Sequence, residues 1–138
     1  MLRNEGFESA VVDLGEYRTI GGHPDGRPWR IGIRGAQDFG SIERMVDLDD
    51  MALAVSGGYG TTFEASGRFH HLFDPATGTS ANHYIAVSVF ASEAIVADAL
   101  STALYVTPPE RAKTMLASFP DVNALATMPD GTVRHLSA

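Results

Sequence analysis

The sequence predicts an α+β fold, an antiparallel-rich sheet with two consecutive helices packed on one face, in a single domain over residues 1–138. Short runs rich in β-branched and aromatic residues, punctuated by Gly, Asp and Pro, dominate the first ninety residues. Two stretches of helical period then follow each other directly, and a last pair of strand-like runs closes the chain.

Each element has its own local reason. Residues 9–14 and 16–20 read as short strands, and Gly21-Gly22-His23-Pro24-Asp25-Gly26 is a turn that leads to a strong strand over 28–34. In that strand Trp29, the single tryptophan, fills core. Residues 35–50 are mixed in pattern and read as a connection into a strand at 51–56. The run Gly57-Gly58-Tyr59-Gly60 breaks the chain, after which 61–65 and 68–73 pair as a hairpin around Ser66-Gly67. In Asp74-Pro75-Ala76-Thr77-Gly78 proline presets φ, aspartate accepts backbone N–H groups and glycine permits positive φ, so this is a turn. A strand at 84–90 precedes Ser92, a good N-cap for a helix over 93–106. Thr107-Pro108-Pro109-Glu110 reads as a capping box opening a second helix, whose Ala112, Met115, Leu116 and Phe119 share one face. Residues 122–127 and 132–136 form a hairpin across Pro129-Asp130-Gly131.

Composition narrows the function. With 10 basic and 17 acidic residues the formal net charge is −7, which repels phosphate backbones and argues against nucleic acid as a partner. An anionic ligand then needs a metal ion or backbone N–H groups to offset the repulsion. The absence of cysteine excludes disulfides, thiolate nucleophiles and sulfur-ligated metals, so any metal is held by oxygen or imidazole. The first residues carry no apolar run resembling a signal peptide, and the most hydrophobic later stretch is interrupted by Asp98; neither export nor membrane crossing is expected of the chain as written.

Three places can carry chemistry. On the helix from residue 93, apolar residues Ile95, Val96, Ala99, Leu100, Ala103, Leu104 and Val106 cover well over half the circumference, so the helix is expected to be largely buried. Its remaining stripe holds Asp98, Ser101, Thr102 and Tyr105. A desolvated carboxylate is costly unless compensated, so the stripe faces either a polar core network or a metal site. Asp98 and Thr102, four apart, can offer two oxygens to one ion, and Mg²⁺ suits so sparse a set because it keeps waters and takes ligand phosphate oxygens. In His70-His71-Leu72-Phe73-Asp74, strand alternation puts His71 and Phe73 on one side and His70, Leu72 and Asp74 on the other. Either one histidine serves a site, or a surface histidine sits beside a satisfied internal one. The glycine-rich Ser56-Gly57-Gly58-Tyr59-Gly60 either lets backbone approach a phosphate or flavin edge, or simply ends a strand; it has neither dinucleotide-binding nor P-loop spacing.

Taken in order, these segments resemble the ApbE-type flavin transferases from about Glu5 to Arg134. Val12-Asp13-Leu14-Gly15-Glu16-Tyr17-Arg18-Thr19-Ile20-Gly21 resembles the strand–Gly–acidic–Arg–Gly element of that family, though Gly15-Glu16-Tyr17 is one residue short of its commoner Gly-Gly-acidic form. Asp25-Gly26-Arg27-Pro28-Trp29-Arg30-Ile31-Gly32-Ile33 resembles "DGRPWRVGI", and Ala54-Val55-Ser56-Gly57 resembles "ATSG". His70-His71-Leu72-Phe73-Asp74-Pro75-Ala76-Thr77-Gly78 resembles "HHIxDPxTG", and Ala97-Asp98-Ala99-Leu100-Ser101-Thr102-Ala103 resembles "ADALATA". The resemblance implies Asp98 and Thr102 as Mg²⁺ ligands, His71 as the catalytic histidine, and Ser56, Gly57, His71 and Asp74 as cofactor-binding residues. It implies FAD as substrate and an acceptor flavoprotein as partner, with FMN transferred to a Thr or Ser hydroxyl and AMP released. Water in place of the hydroxyl would make an FAD pyrophosphatase, and a non-catalytic flavin- or nucleotide-binding module is the alternative. Family members are longer, often periplasmic or membrane-anchored, and their N-terminal half supplies further flavin contacts and a carbonyl ligand. A complementing N-terminal half or homo-oligomerisation is therefore expected as a requirement for activity.

Overall fold

The computed structural model describes residues 2–35 and 40–137. A six-stranded sheet runs in the order β1-β2-β5-β8-β9-β10, built from β1 (Ala10–Asp13), β2 (Tyr17–Ile20), β5 (Ala52–Gly57), β8 (Ala86–Ala91), β9 (Asn123–Thr127) and β10 (Val133–Leu136). Every pairing in it is antiparallel, with Ala54 opposite Val89 and Ser88 opposite Leu125 at the centre. The two helices, α1 (Ala94–Val106) and α2 (Pro109–Leu116), are consecutive, as the sequence predicts. Among the described residues no helix is long and apolar enough to cross a membrane.

Strand alternation explains the layering. Ala52 and Ala54 of β5 pack with Val87, Val89, Leu100, Leu104 and Tyr105 in the core beneath α1. Leu53 and Val55 point the other way, into a second cluster with Ile31, Leu48 and Val46. That second layer is a separate antiparallel hairpin, β3 (Trp29–Arg34) with β4 (Ile42–Leu48). The strand β4 occupies much of the segment read as a connection; residues 36–39 of that segment lie outside the described residues. Its signal was weak because most of its side chains are exposed or half-buried, and only Leu48 is sealed. Trp29 is half-buried rather than core, edge-on to His23 at 4.7 Å between ring centroids.

Local corrections have physical causes. The expected 61–73 hairpin forms only an isolated bridge, Thr62 with His70, flanked by Phe63 N–H donating to the Phe69 carbonyl at 2.8 Å. Carboxylate bonds from Glu64 to Ser66 and to the Phe69 N–H take over where a ladder would continue. Two short strands, β6 (Phe73–Asp74) and β7 (Thr79–Ser80), bracket the expected turn, in which Asp74 accepts the Ala76 N–H at 2.8 Å and Gly78 has φ of 68°. Ser92 is not the N-cap of α1: that position is Glu93, with no side-chain cap. Nor does Thr107 open α2. Its hydroxyl bonds back to the Ala103 carbonyl at 2.7 Å and closes α1, leaving Pro108 as the uncapped N-cap of α2. Ala112 and Leu116 are buried as expected, whereas Phe119 falls beyond α2 and is exposed.

Candidate functional site

The largest correction concerns the face of α1. Its buried positions are Ala97, Leu100, Ser101, Leu104 and Tyr105, which recur at helical spacing and seal against β5 and β8. Ser101 and Tyr105, expected on the polar stripe, are inside; Asp98 and Thr102 are exposed, and so are Ala99 and Ile95, the latter at 74%. Burial of Asp98 is therefore not what defines it. Residues of one stripe divide because 100° steps place 98 and 102 at its outer margin and 101 and 105 at its inner one.

The exposed oxygens are nevertheless organised. Where β5 ends, Ser56 Oγ lies 2.8 Å from Ser101 Oγ and 3.0 Å from Thr102 Oγ1. Ser101 donates its only proton to the Asp98 carbonyl at 2.9 Å. The remaining directions follow, because each hydroxyl has one proton: Ser56 donates to Ser101, and Thr102 donates to Ser56. Thr102 thus enters the network as a donor, leaving its lone pairs uncommitted within it. One turn earlier on the helix, the carboxylate of Asp98 has no hydrogen-bond or ion-pair partner among the described residues.

This donor set fits a hard divalent cation. It offers one carboxylate and one hydroxyl with free lone pairs, both solvent-accessible, which suits Mg²⁺ keeping waters and taking phosphate oxygens. Among the described residues no three His, Asp or Glu side chains cluster, so an all-protein cage is not what the chain provides.

The adjacent histidines differ completely. His70 is 1% exposed; its Nε2–H donates to the Ala81 carbonyl at 2.9 Å and its Nδ1 accepts the Leu72 N–H at 3.2 Å. His71 is exposed. Its Nδ1 faces the Thr61 carbonyl at 3.3 Å, and because a carbonyl only accepts, this nitrogen carries the proton in that contact. The lone pair then sits on Nε2, available to take a proton. Gly60 lies against this ring, where a Cβ would come within 3.4 Å of Cε1.

The glycine-rich turn joins the two parts. Gly58 N–H donates to the Tyr105 hydroxyl at 3.1 Å, and burial pushes that phenol's pKa up, so Tyr105 is protonated at neutral pH. Gly57 is buried beside the Tyr59 ring. Ser56, Gly57, Thr102 and Asp98 therefore belong to one junction, with His71 reached through residues 58–60. Asp74 is elsewhere, lining a cleft of about 580 Å³ with Val106, Thr107 and Arg111, and one of its oxygens is spent on the turn. Sequence reasoning missed Ser101 as the link that orients Ser56, because a serine on a helix looks the same whether it faces water or a strand.

The ApbE family model matches residues 1–126. The FAD:protein FMN transferase of Treponema pallidum (strain Nichols) is 36% identical over 146 residues, which take in 97% of this chain and 40% of that protein. The Vibrio cholerae enzyme of the same name (strain O395) is 38% identical over 114 residues, covering 80% and 34%. The crystal structure of the ApbE protein from Thermotoga maritima superposes with a TM-score of 0.80 at 30% identity, over 92% of this chain and 42% of that one. The flavinyl transferase ApbE of Pseudomonas stutzeri gives 0.73 at 31%, over 97% and 41%. The chain spans about a third to two fifths of the length of these proteins. Matched by the family model over residues 1–126 and alike in fold over 92% of its length, this chain belongs to the ApbE family.

Proposed function

We propose that this chain carries the metal- and base-bearing part of a flavin transferase, which moves FMN from FAD to a Thr or Ser hydroxyl of a target protein in a Mg²⁺-dependent reaction that releases AMP. The observation that carries it is the β5–α1 junction, where the unpartnered carboxylate of Asp98 stands one turn from a Thr102 hydroxyl already engaged as a donor. Those two side chains would hold Mg²⁺. When bound, the ion supplies charge neutralisation of the diphosphate and of the leaving phosphate.

The other residues have separable tasks. His71 Nε2 takes the proton of the acceptor hydroxyl, and the Thr61 carbonyl steadies the imidazolium so formed through Nδ1–H. The acceptor oxygen bonds to the phosphorus of the FMN moiety, the bond from that phosphorus to the bridging oxygen breaks, and AMP departs with the electron pair. Ser56 fixes Thr102, while Gly57 leaves the room at the strand end that the Tyr59 ring fills, where a Cβ would lie 2.3 Å from that ring. Asp74 serves by holding the turn that follows His71 and Phe73. Further flavin contacts come from a complementing N-terminal half or from a second copy of the chain.

The test is to incubate the chain with FAD, Mg²⁺ and an acceptor peptide, with and without a separately made N-terminal half, and to measure AMP and covalent flavin. Both products support transfer, whereas AMP without covalent flavin identifies an FAD pyrophosphatase. Folded protein that yields neither product under either condition overturns the catalytic reading. FAD binding indifferent to Mg²⁺ and to Asp98→Ala would then identify a non-catalytic flavin-binding module.

A further inference from the structure

We infer that His70, which the proposed chemistry does not use, is a positioning residue that holds His71 in register with the β5 turn and helix α1. This role rests on the reading of His71 as the base. All four polar groups of His70 are satisfied inside the protein. Its N–H donates to Ser80 Oγ at 2.9 Å, Ser80 Oγ–H donates back to its carbonyl at 2.7 Å, and the ring is bonded to Ala81 and Leu72. The ring also meets Tyr105 edge-on, at 5.8 Å between centroids and 78° between planes. It fills the space that Gly58 leaves open, where a Cβ would lie 2.6 Å from Cδ2 and 2.8 Å from Nε2. Tyr105 closes the triangle by accepting the Gly58 N–H at 3.1 Å.

These three residues come from the three segments that carry the candidate site. Gly58 follows Ser56 by two positions, Tyr105 lies one turn beyond Ser101, and His70 precedes His71. A buried ring serving only to fill space could be phenylalanine. What imidazole adds is a fixed Nε2–H tautomer bonded on one edge to the Leu72 N–H of its own segment and on the other to the Ala81 carbonyl just after β7, so the ring cannot rotate without breaking a bond. The backbone N–H of His71 donates to the Thr61 carbonyl at 3.1 Å, but its ring has a looser hold, the 3.3 Å contact of Nδ1 with that same carbonyl, and its orientation depends on the His70 anchor.

His70→Phe keeps the bulk and removes both ring hydrogen bonds, while His70→Gln returns an amide donor to the Nε2 position. The chain and both variants are compared in the transfer assay above, with urea unfolding to confirm a cooperative fold and long-range ¹H–¹⁵N spectra to read the tautomers of both histidines. The expected result for His70→Phe is a kcat lower by about 10–100-fold with the KM for FAD changed by less than about threefold, and substantial rescue in His70→Gln. The His71 imidazole should pass from a predominant Nδ1–H form towards averaged tautomers. Unchanged kcat in His70→Phe, no advantage of Gln over Phe, or an unaltered His71 spectrum overturns the role. If the wild-type chain releases no AMP, the base reading falls while the His71 spectrum still decides the positioning. If His70→Phe fails to fold, His70→Gln against wild type decides it: the role requires the Gln variant to keep the His71 tautomer, and a lost tautomer in a folded Gln variant refutes it.

Discussion

A hydroxyl has one proton to give, and at the β5–α1 junction that fact sets the direction of three bonds. If Ser56 holds Thr102 as a donor, Ser56→Ala should weaken Mg²⁺-dependent FAD binding by about 3–10-fold, the worth of one hydrogen bond, while leaving the fold intact. Calorimetric titration of FAD with and without Mg²⁺ checks this, and equal affinities in the two proteins would mean Thr102 needs no support. Glu64 makes a second prediction at this scale. Bonds from the Ser66 hydroxyl, and then from the Ser66 and Phe69 N–H groups, hold its carboxyl down from 4.5 to about 2. The sign follows from linkage: a depressed carboxylate pKa gives stability that is present above 4.5 and is lost as pH falls through about 2. The turn at Ser66-Gly67 should therefore persist to unusually low pH. Ser66→Ala should return the Glu64 titration towards its ordinary range, as followed by the carboxyl carbon shift in NMR.

At the scale of elements, α1 matters because its inner face seals the sheet while its outer margin presents the oxygens. Leu104, fully buried between α1 and β8, should cost about 2–5 kcal/mol on truncation to alanine, measured by urea unfolding. Gly58→Ala should cost about 1–3 kcal/mol or more by overpacking, since the added methyl would press on both His70 and Tyr105. What was legible beforehand follows the strength of local signals. Strands β1, β2, β3, β5, β8, β9 and β10 and both helices carry period, punctuation or continuous apolar runs, whereas alternation puts His70 and His71 on opposite sides without saying which of them is buried. Strand β4 was not legible, because a strand exposed along most of its length lacks an apolar period. The caps misled for another reason: Thr107 can bond forward to α2 or back to α1, and packing, not sequence, chooses. The same ambiguity hid the site's inner half. Periodicity placed Asp98, Ser101, Thr102 and Tyr105 on one stripe, but where the sheet cuts across that stripe is a tertiary fact.

For the whole molecule the governing quantity is charge. A formal net charge of −7 surrounds a site proposed to receive a diphosphate, and two of the cations, Arg3 and Arg18, are paired with Asp50. The field of the protein and the charge of FAD then have the same sign, so without a divalent cation added salt should assist binding by screening the repulsion. Raising ionic strength from about 10 mM to 300 mM shortens the Debye length from roughly 30 Å to roughly 6 Å, which is enough to uncouple FAD from the more distant carboxylates. FAD affinity in the presence of a chelator is therefore expected to rise about 2–5-fold over that range, as read from flavin fluorescence. With saturating Mg²⁺ the neutralised diphosphate no longer feels the field strongly, and the same salt series should be flat or slope the opposite way as salt competes for the ion. Affinity that falls with salt in chelator would show that a local cluster of cations or N–H dipoles outweighs the global charge, and the metal would then be dispensable for holding the ligand. The difference in slope between the two salt series is thus a signature that neither tight metal-free binding nor a metal bound remote from the phosphates can produce.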